Sequence, residues 1–200
     1  MIDGVIKYSI EHTTKDAPTF KDYKSLEALR SRLFALGLIG VQDGIGYGNI
    51  SLREEKRGSF FITATQTGEL SSLTKEYYTY IEAYDFANFS VNSFGKHKPS
   101  SEALSHAMIY QINPEINAVI HIHSKALWEF MKKNSSLFTT AEYGTVEMVT
   151  EIASLYENKN PFSDSIFVMR GHEDGVIAFG KNVKEAELTL YKMIKEYLKV

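Results

Sequence analysis

Cysteine is absent from all 200 residues. That excludes disulfides and thiolate ligands together, so any transition-metal site has to be built from His, Asp and Glu. Proline occurs only four times and tryptophan once, and no Pro/Ser-rich or low-complexity stretch marks a linker. Neither sign of charge dominates: 25 acidic against 22 basic residues give a formal charge of −3, with the Lys and Arg scattered along the chain. No basic stripe for nucleic acid results. No run of about 18 apolar residues occurs, as a membrane span requires, and Met1–Lys7 lacks the basic segment and apolar run of a leader. A cytoplasmic protein is therefore the expectation.

What is present is the composition of a folded protein, 44% hydrophobic and 12% aromatic. The length suits one core, so a single domain over residues 1–200 is expected. Residues 5–11 alternate as a strand does, and Leu26, Leu29, Leu33 and Leu36 recur at helical spacing up to Gly37. Gly44-Ile45-Gly46-Tyr47-Gly48 reads as a glycine-rich turn feeding the run Asn49–Arg53, and Ser59–Thr63 has the content of a strand. The aromatic segments 77–84 and 86–94 suit a strand pair, and 102–111 suits a helix stopped before Pro114. The strongest strand is 117–123. Helices from Lys125 and over 146–156, strands at 165–169 and 176–179, and a helix over 183–198 complete an α/β or α+β layer pattern.

Histidine placement carries the chemistry. In a strand, side chains at i and i+2 share a face, so His121 and His123 project together while Ile120 and Ile122 point to the opposite layer. Two imidazoles then reach one ion, and a catalytic zinc site needs a third protein ligand and an open position. His172 lies in the loop Arg170–Gly175, after the apolar strand, and can reach across to a neighbouring strand. Glu102 follows Pro99-Ser100-Ser101 at a helix start, where capping and the helix dipole would by themselves explain a glutamate. His106 is one turn further on and is not assigned to the metal. Two other readings of His-x-His fail on spacing. A cupin-like site wants a glutamate four or five positions beyond the second histidine, but Glu129 is six beyond His123. The HExxH pattern is absent, as is a GxSxG nucleophile elbow.

Four blocks in order resemble the class II aldolase/adducin family: Gly48–Arg53; Thr65-Gln66-Thr67-Gly68; Pro99–Glu102 with His106 and Tyr110; and Asn117–Ser124. Gly171-His172 with Gly175–Gly180 forms a fifth, and the similarity runs from about residue 25 to residue 195. The resemblance implies that His121, His123 and His172 bind Zn2+, that Glu102 is the catalytic acid/base, and that Gly48, Asn49, Thr67, Gly68, Ser100 and Ser101 hold a substrate phosphate. Glycine-flanked backbone N–H groups, hydroxyls and a helix N-terminus suit an anion without any lysine. It also implies a three-layer α/β/α fold with a central, mainly antiparallel sheet, and a homotetramer with sites near subunit borders.

Two departures stand out. Glu173 and Asp174 separate His172 from Gly175 where many members have His-Gly, and Gln66 replaces a common proline. The activity implied is that of a zinc-dependent lyase, an aldolase that cleaves a phosphorylated ketose through a metal-stabilised enediolate. A sugar-phosphate dehydratase or epimerase would use the same parts. A non-enzymatic adducin-like interaction module would be expected to lose the ligands or the carboxylate, and this chain retains all four.

Overall fold

A computed structural model describes residues 5–53 and 58–200; Met1–Gly4, part of the segment read for a leader, lie outside them. Nine strands among the described residues form one sheet. In chain order these are β1 (Ser9–Thr14), β4 (Asn49–Leu52), β5 (Phe60–Thr63), β6 (Tyr78–Asp85), β7 (Ser90–Gly95), β8 (Ala118–His123), β9 (Phe138–Thr139), β10 (Ile166–Met169) and β11 (Gly175–Gly180), in the order β1-β7-β6-β5-β4-β8-β11-β10-β9. Between β1 and β4, the strands β2 (Gly40–Gln42) and β3 (Ile45–Tyr47) form a separate two-stranded hairpin. The interior neighbours of the large sheet are antiparallel, but both edge pairs, β1 with β7 and β9 with β10, run parallel. The sheet is therefore mixed, antiparallel through its interior as expected, with a parallel pair at each edge.

Among the described residues five α-helices flank the sheet: α1 (Tyr23–Ala35), α2 (Ala103–Ile112), α3 (Lys125–Asn134), α4 (Val146–Leu155) and α5 (Val183–Tyr197). The period-two pattern of β8 sorts them. Ile120 and Ile122 enter a core shared with Leu26, Leu29 and Leu33 of α1, Leu127 and Met131 of α3 and Leu190 of α5. Val119 faces the other way, toward Leu104, Ala107 and Ile109 of α2 and Met148 and Ile152 of α4. These two apolar clusters define the α/β/α layering, and each fully buried Ile or Leu contributes about 1.5–3 kcal/mol to it.

Caps fix where three helices begin. Ser124 Oγ accepts from Leu127 N, Thr145 Oγ1 from Met148 N and Asn182 Oδ1 from Glu185 N. β1 spans Ser9–Thr14, overlapping the expected 5–11 window only at its end, because its register is set by parallel pairing with β7, Ser9 opposite Ser90. The paired aromatic strands are present as β6 and β7, with an irregularity between Ile81 and Ala83.

Candidate metal and anion site

The site lies on the α2/α4 face of β8, where the register brings distant segments together. Asn49 of β4 pairs with His121, and Gly175 of β11 pairs with His123. The turn before β11 therefore hangs over the end of β8 and delivers His172. The inserted Glu173 and Asp174 are absorbed in that turn: Gly175 N donates to His172 O at 3.0 Å, Ser124 N donates to Asp174 O at 2.9 Å, and Asp174 takes a left-handed φ of 64°. Neither inserted carboxylate belongs to the group of ligand atoms that converges.

The three Nε2 atoms converge. His123 Nε2 lies 3.1 Å from His121 Nε2 and 3.0 Å from His172 Nε2. Two ligands held at zinc distances on a tetrahedral ion are about 3.4 Å apart, so the spacing suits one shared cation. His121 Nδ1 faces Val176 O at 3.3 Å, a carbonyl that takes the ring proton and turns the Nε2 lone pair inward. His123 Nε2 faces two nitrogens at once, and a single proton cannot serve both. Tyr47 stacks on His123 at 5.2 Å, and Tyr143 packs on His172 at 4.8 Å beneath the Lys7 ammonium. The rings are thus held from behind.

Glu102 completes the cluster. Its Oε1 is 3.0 Å from His121 Nε2 and 3.5 Å from His172 Nε2, while Oε2 is buried without a hydrogen-bond partner. α2 starts one residue later than expected, which makes Glu102 its N-cap, yet its side chain makes no capping bond. Capping therefore does not account for this glutamate. Burial pushes its carboxyl up, but the charge and hydrogen bond of His121, with the charges of His172 and His106, bring it down to about 2. His123, by contrast, is lowered to about 2 by burial and then by the charges of His121 and His172, and burial lowers His106 to about 3. A buried carboxylate with an unpartnered Oε2, beside three imidazole nitrogens that converge on one point, suits a bound cation. The residues therefore fit a divalent metal.

All six residues assigned to an anion line one narrow pocket beside Glu102: Gly48, Asn49, Thr67, Gly68, Ser100 and Ser101. Ser100 Oγ accepts from Glu102 N at 3.3 Å, which leaves its own hydrogen for an anion. The Thr67 hydroxyl instead donates to Ala64 O at 3.0 Å, so this residue reaches the pocket through its backbone. Gly68 is sterically required, because a Cβ there would sit 1.9 Å from Gly40 O. Gly48 has a φ of 77°, and a Cβ would meet Ile39 Cγ1 at 2.7 Å. Gln66 does not loosen the loop, since its Oε1 accepts from Gly46 N at 2.9 Å and ties the β2–β3 hairpin to it. Beyond His123 and His172 a second cavity of about 450 Å³ opens, lined by Tyr47, Lys125, Tyr143 and Asp174 among others. That is room for a small-molecule ligand.

Several residues that shape the site were missed from sequence. Ser51 Oγ bridges His106 Nδ1 and Tyr110 Oη, each at 2.7 Å, behind the cluster. Tyr47 and Tyr143 are ring supports. Their only sequence signal was aromatic content close to glycine, which is common to many turns.

A buried three-histidine cluster with an adjoining carboxylate, mounted on a mixed sheet between helices, is a candidate metal site beside a narrow polar pocket. The profile of the class II aldolase and adducin N-terminal domain matches residues 32–196, and the chain belongs to that family. It is 30% identical over 150 residues to an L-fuculose phosphate aldolase of Methanococcus maripaludis, covering 70% of this chain and 76% of that one. An 83-residue stretch is 34% identical to a 3-oxo-tetronate 4-phosphate decarboxylase of Haemophilus influenzae, covering 41% of this chain and 35% of that one. Among solved structures, an L-fuculose 1-phosphate aldolase superposes with a TM-score of 0.67 at 19% identity, over 91% of this chain and 85% of that one. An L-fuculose-1-phosphate aldolase from Thermus thermophilus gives 0.63 at 19% identity, over 88% of this chain and 90% of that one. The superpositions support the fold.

Proposed function

We propose that the chain is a zinc-dependent lyase, an aldolase acting on a phosphorylated ketose. The observation that carries this reading is the buried Glu102 carboxylate, 3.0 Å from His121 Nε2, at the point where the anion pocket meets the three histidines. His121, His123 and His172 hold the ion in this reading, and Gly48, Asn49, Thr67, Gly68, Ser100 and Ser101 hold the phosphate. When bound, the divalent ion supplies positive charge that offsets the negative charge developing on the substrate oxygens as the carbon–carbon bond breaks.

Glu102 moves the proton. Because its carboxyl is lowered to about 2, it is ionised at neutral pH and starts as a base. Oε2, which has no protein partner, is the atom suited to take a proton from a substrate hydroxyl and return it. Ser100 offers a hydroxyl donor to the phosphate, the Gly48 and Gly68 backbones allow close approach, and the start of α2 adds its dipole. The wider cavity takes the aldehyde half.

The relative named as an aldolase supports carbon–carbon cleavage. The one named as a decarboxylase favours a second reading, in which carbon dioxide leaves in place of an aldehyde and the same groups stabilise the remaining charge. Epimerisation and dehydration would also call on them. We further propose a homotetramer with sites near subunit borders, a state that light scattering reads directly. Zinc-loaded protein incubated with a panel of ketose phosphates and 3-oxo-tetronate 4-phosphate separates the chemistries. Release of dihydroxyacetone phosphate and an aldehyde is expected. Carbon dioxide release would replace the aldolase reading, and no turnover of any compound would point to an adducin-like module.

A further inference from the structure

A charged side chain far from the histidines is almost fully enclosed. Arg30 of α1 is only 1% exposed, and its guanidinium donates to Thr67 O at 2.9 Å and to Leu70 O. One helical turn earlier, Glu27 accepts from Leu73 N at 2.9 Å and from the Tyr78 hydroxyl at 2.6 Å. One face of α1 therefore holds the segment from Thr67 to Leu73 at three backbone points. The front of that segment, Thr67 and Gly68, lines the anion pocket, whereas Arg30 does not.

Peptide geometry connects the two sides. The Thr67–Gly68 peptide is trans, so its C=O and N–H point in opposite directions. The Thr67 carbonyl accepts from Leu70 N at 3.2 Å within its own turn and from the Arg30 guanidinium, and a guanidinium that holds it toward α1 directs the Gly68 N–H away from the helix. The peptide is also polarised by a full positive charge one group behind it, which strengthens that N–H as a donor to an anion. Burial among satisfied partners keeps Arg30 from bonding the ligand itself. Its fork geometry, which spans two carbonyls, is one that a lysine cannot reproduce.

We propose that Arg30 is a positioning residue for anion recognition, presetting the Thr67–Gly68 peptide from behind so that the pocket binds a phosphoryl group with no Lys or Arg among the described residues lining it. This rests on the reading of that pocket as the phosphate site. The test compares zinc-loaded full-length Arg30→Met and Arg30→Lys with the parent protein. Binding of inorganic phosphate is measured by calorimetry, and KM and kcat are measured on the phosphorylated ketose and its free sugar.

Arg30→Met is expected to weaken phosphate binding and raise KM for the phosphorylated substrate about tenfold, with kcat within about threefold and the free sugar little affected. Arg30→Lys should recover part of the loss, and zinc content should not change. If Arg30→Met does not fold, the Lys variant carries the test, with a loss of phosphate affinity of about threefold expected from the missing second carbonyl bond. Unchanged phosphate affinity in the folded variants, or an equal fall in kcat on both substrates, would overturn the role of Arg30 alone. If the parent protein neither binds inorganic phosphate nor prefers phosphorylated substrate, the pocket reading fails and takes this proposal with it.

Discussion

Acid should destabilise the metal-free protein in part through His106. The imidazole is fully enclosed, its Nδ1 bonds Ser51 Oγ at 2.7 Å, and its Nε2 has no partner. Charging the ring would place a proton on both nitrogens and leave one buried N–H unanswered. Burial accordingly lowers its folded pKa to about 3, against about 6.5 in an unfolded chain. Between those values the unfolded state binds one proton more than the folded state, so stability is fully present above about pH 6.5 and is lost as pH falls toward 3.

The slope from this one group is about 1.4 kcal/mol per pH unit. Lowering the pH from 6.5 to 4.5 should therefore cost about 2 kcal/mol through His106 alone, of the same order as the loss through His123. Urea unfolding in the presence of a chelator, at pH 4.5, 5.5, 6.5 and 7.5, reads these values. His106→Gln should be less stable at pH 7.5 by about 1–3 kcal/mol, because a buried hydrogen-bonded group is replaced. Its stability should also fall less steeply, so that the two curves approach one another as the pH drops. Parallel curves would refute the reasoning, since they would mean that His106 binds no fewer protons in the folded state than in the unfolded one.

Two further outcomes follow from the same geometry. Elemental analysis should find about one zinc per chain in the parent protein and a loss of most of it in the His121→Ala plus His123→Ala double variant, because one remaining imidazole cannot hold a tetrahedral ion. Gly68→Ala should destabilise by about 1–3 kcal/mol, the usual cost of overpacking, because its Cβ would lie 1.9 Å from Gly40 O. It should also weaken phosphate binding, and thermal unfolding with phosphate calorimetry checks both.

What the sequence revealed was what is local. The period of two in β8 put His121 and His123 on one face and Ile120 and Ile122 on the other, and the folded chain keeps that division between its two cores. His172 lies 49 residues from His123, and no periodicity links them. Only the ordered blocks made it visible. The β2–β3 hairpin went unread because Gly44-Ile45-Gly46-Tyr47-Gly48 has turn composition, and its strands exist by tertiary support, including Gln66 on Gly46 N. β9 was missed for a similar reason: two residues, Phe138 and Thr139, have no pattern of their own. Arg30 and Glu27 were invisible because a charged residue on an amphipathic helix reads as solvent-facing. Their burial depends on the loop from Thr67 to Leu73 folding over them. Ser51 and His106 likewise meet only because β4 and α2 pack on the same layer.

The proposed role of Glu102 as the proton-transfer group of a metal lyase can be tested at the residue itself. The direct measurement is kcat for zinc-loaded Glu102→Gln on the ketose phosphate that the parent protein cleaves, alongside zinc content and melting temperature. Glutamine is nearly isosteric and removes a buried charge whose Oε2 lacks a partner, so melting should shift by no more than about 5 °C. The three histidines should retain the zinc. Loss of a general acid/base group lowers the rate by about 10² to 10⁴, and a fall of that size with metal and fold intact is the result expected. A Glu102→Gln protein that turns over at near the parental rate would contradict the account.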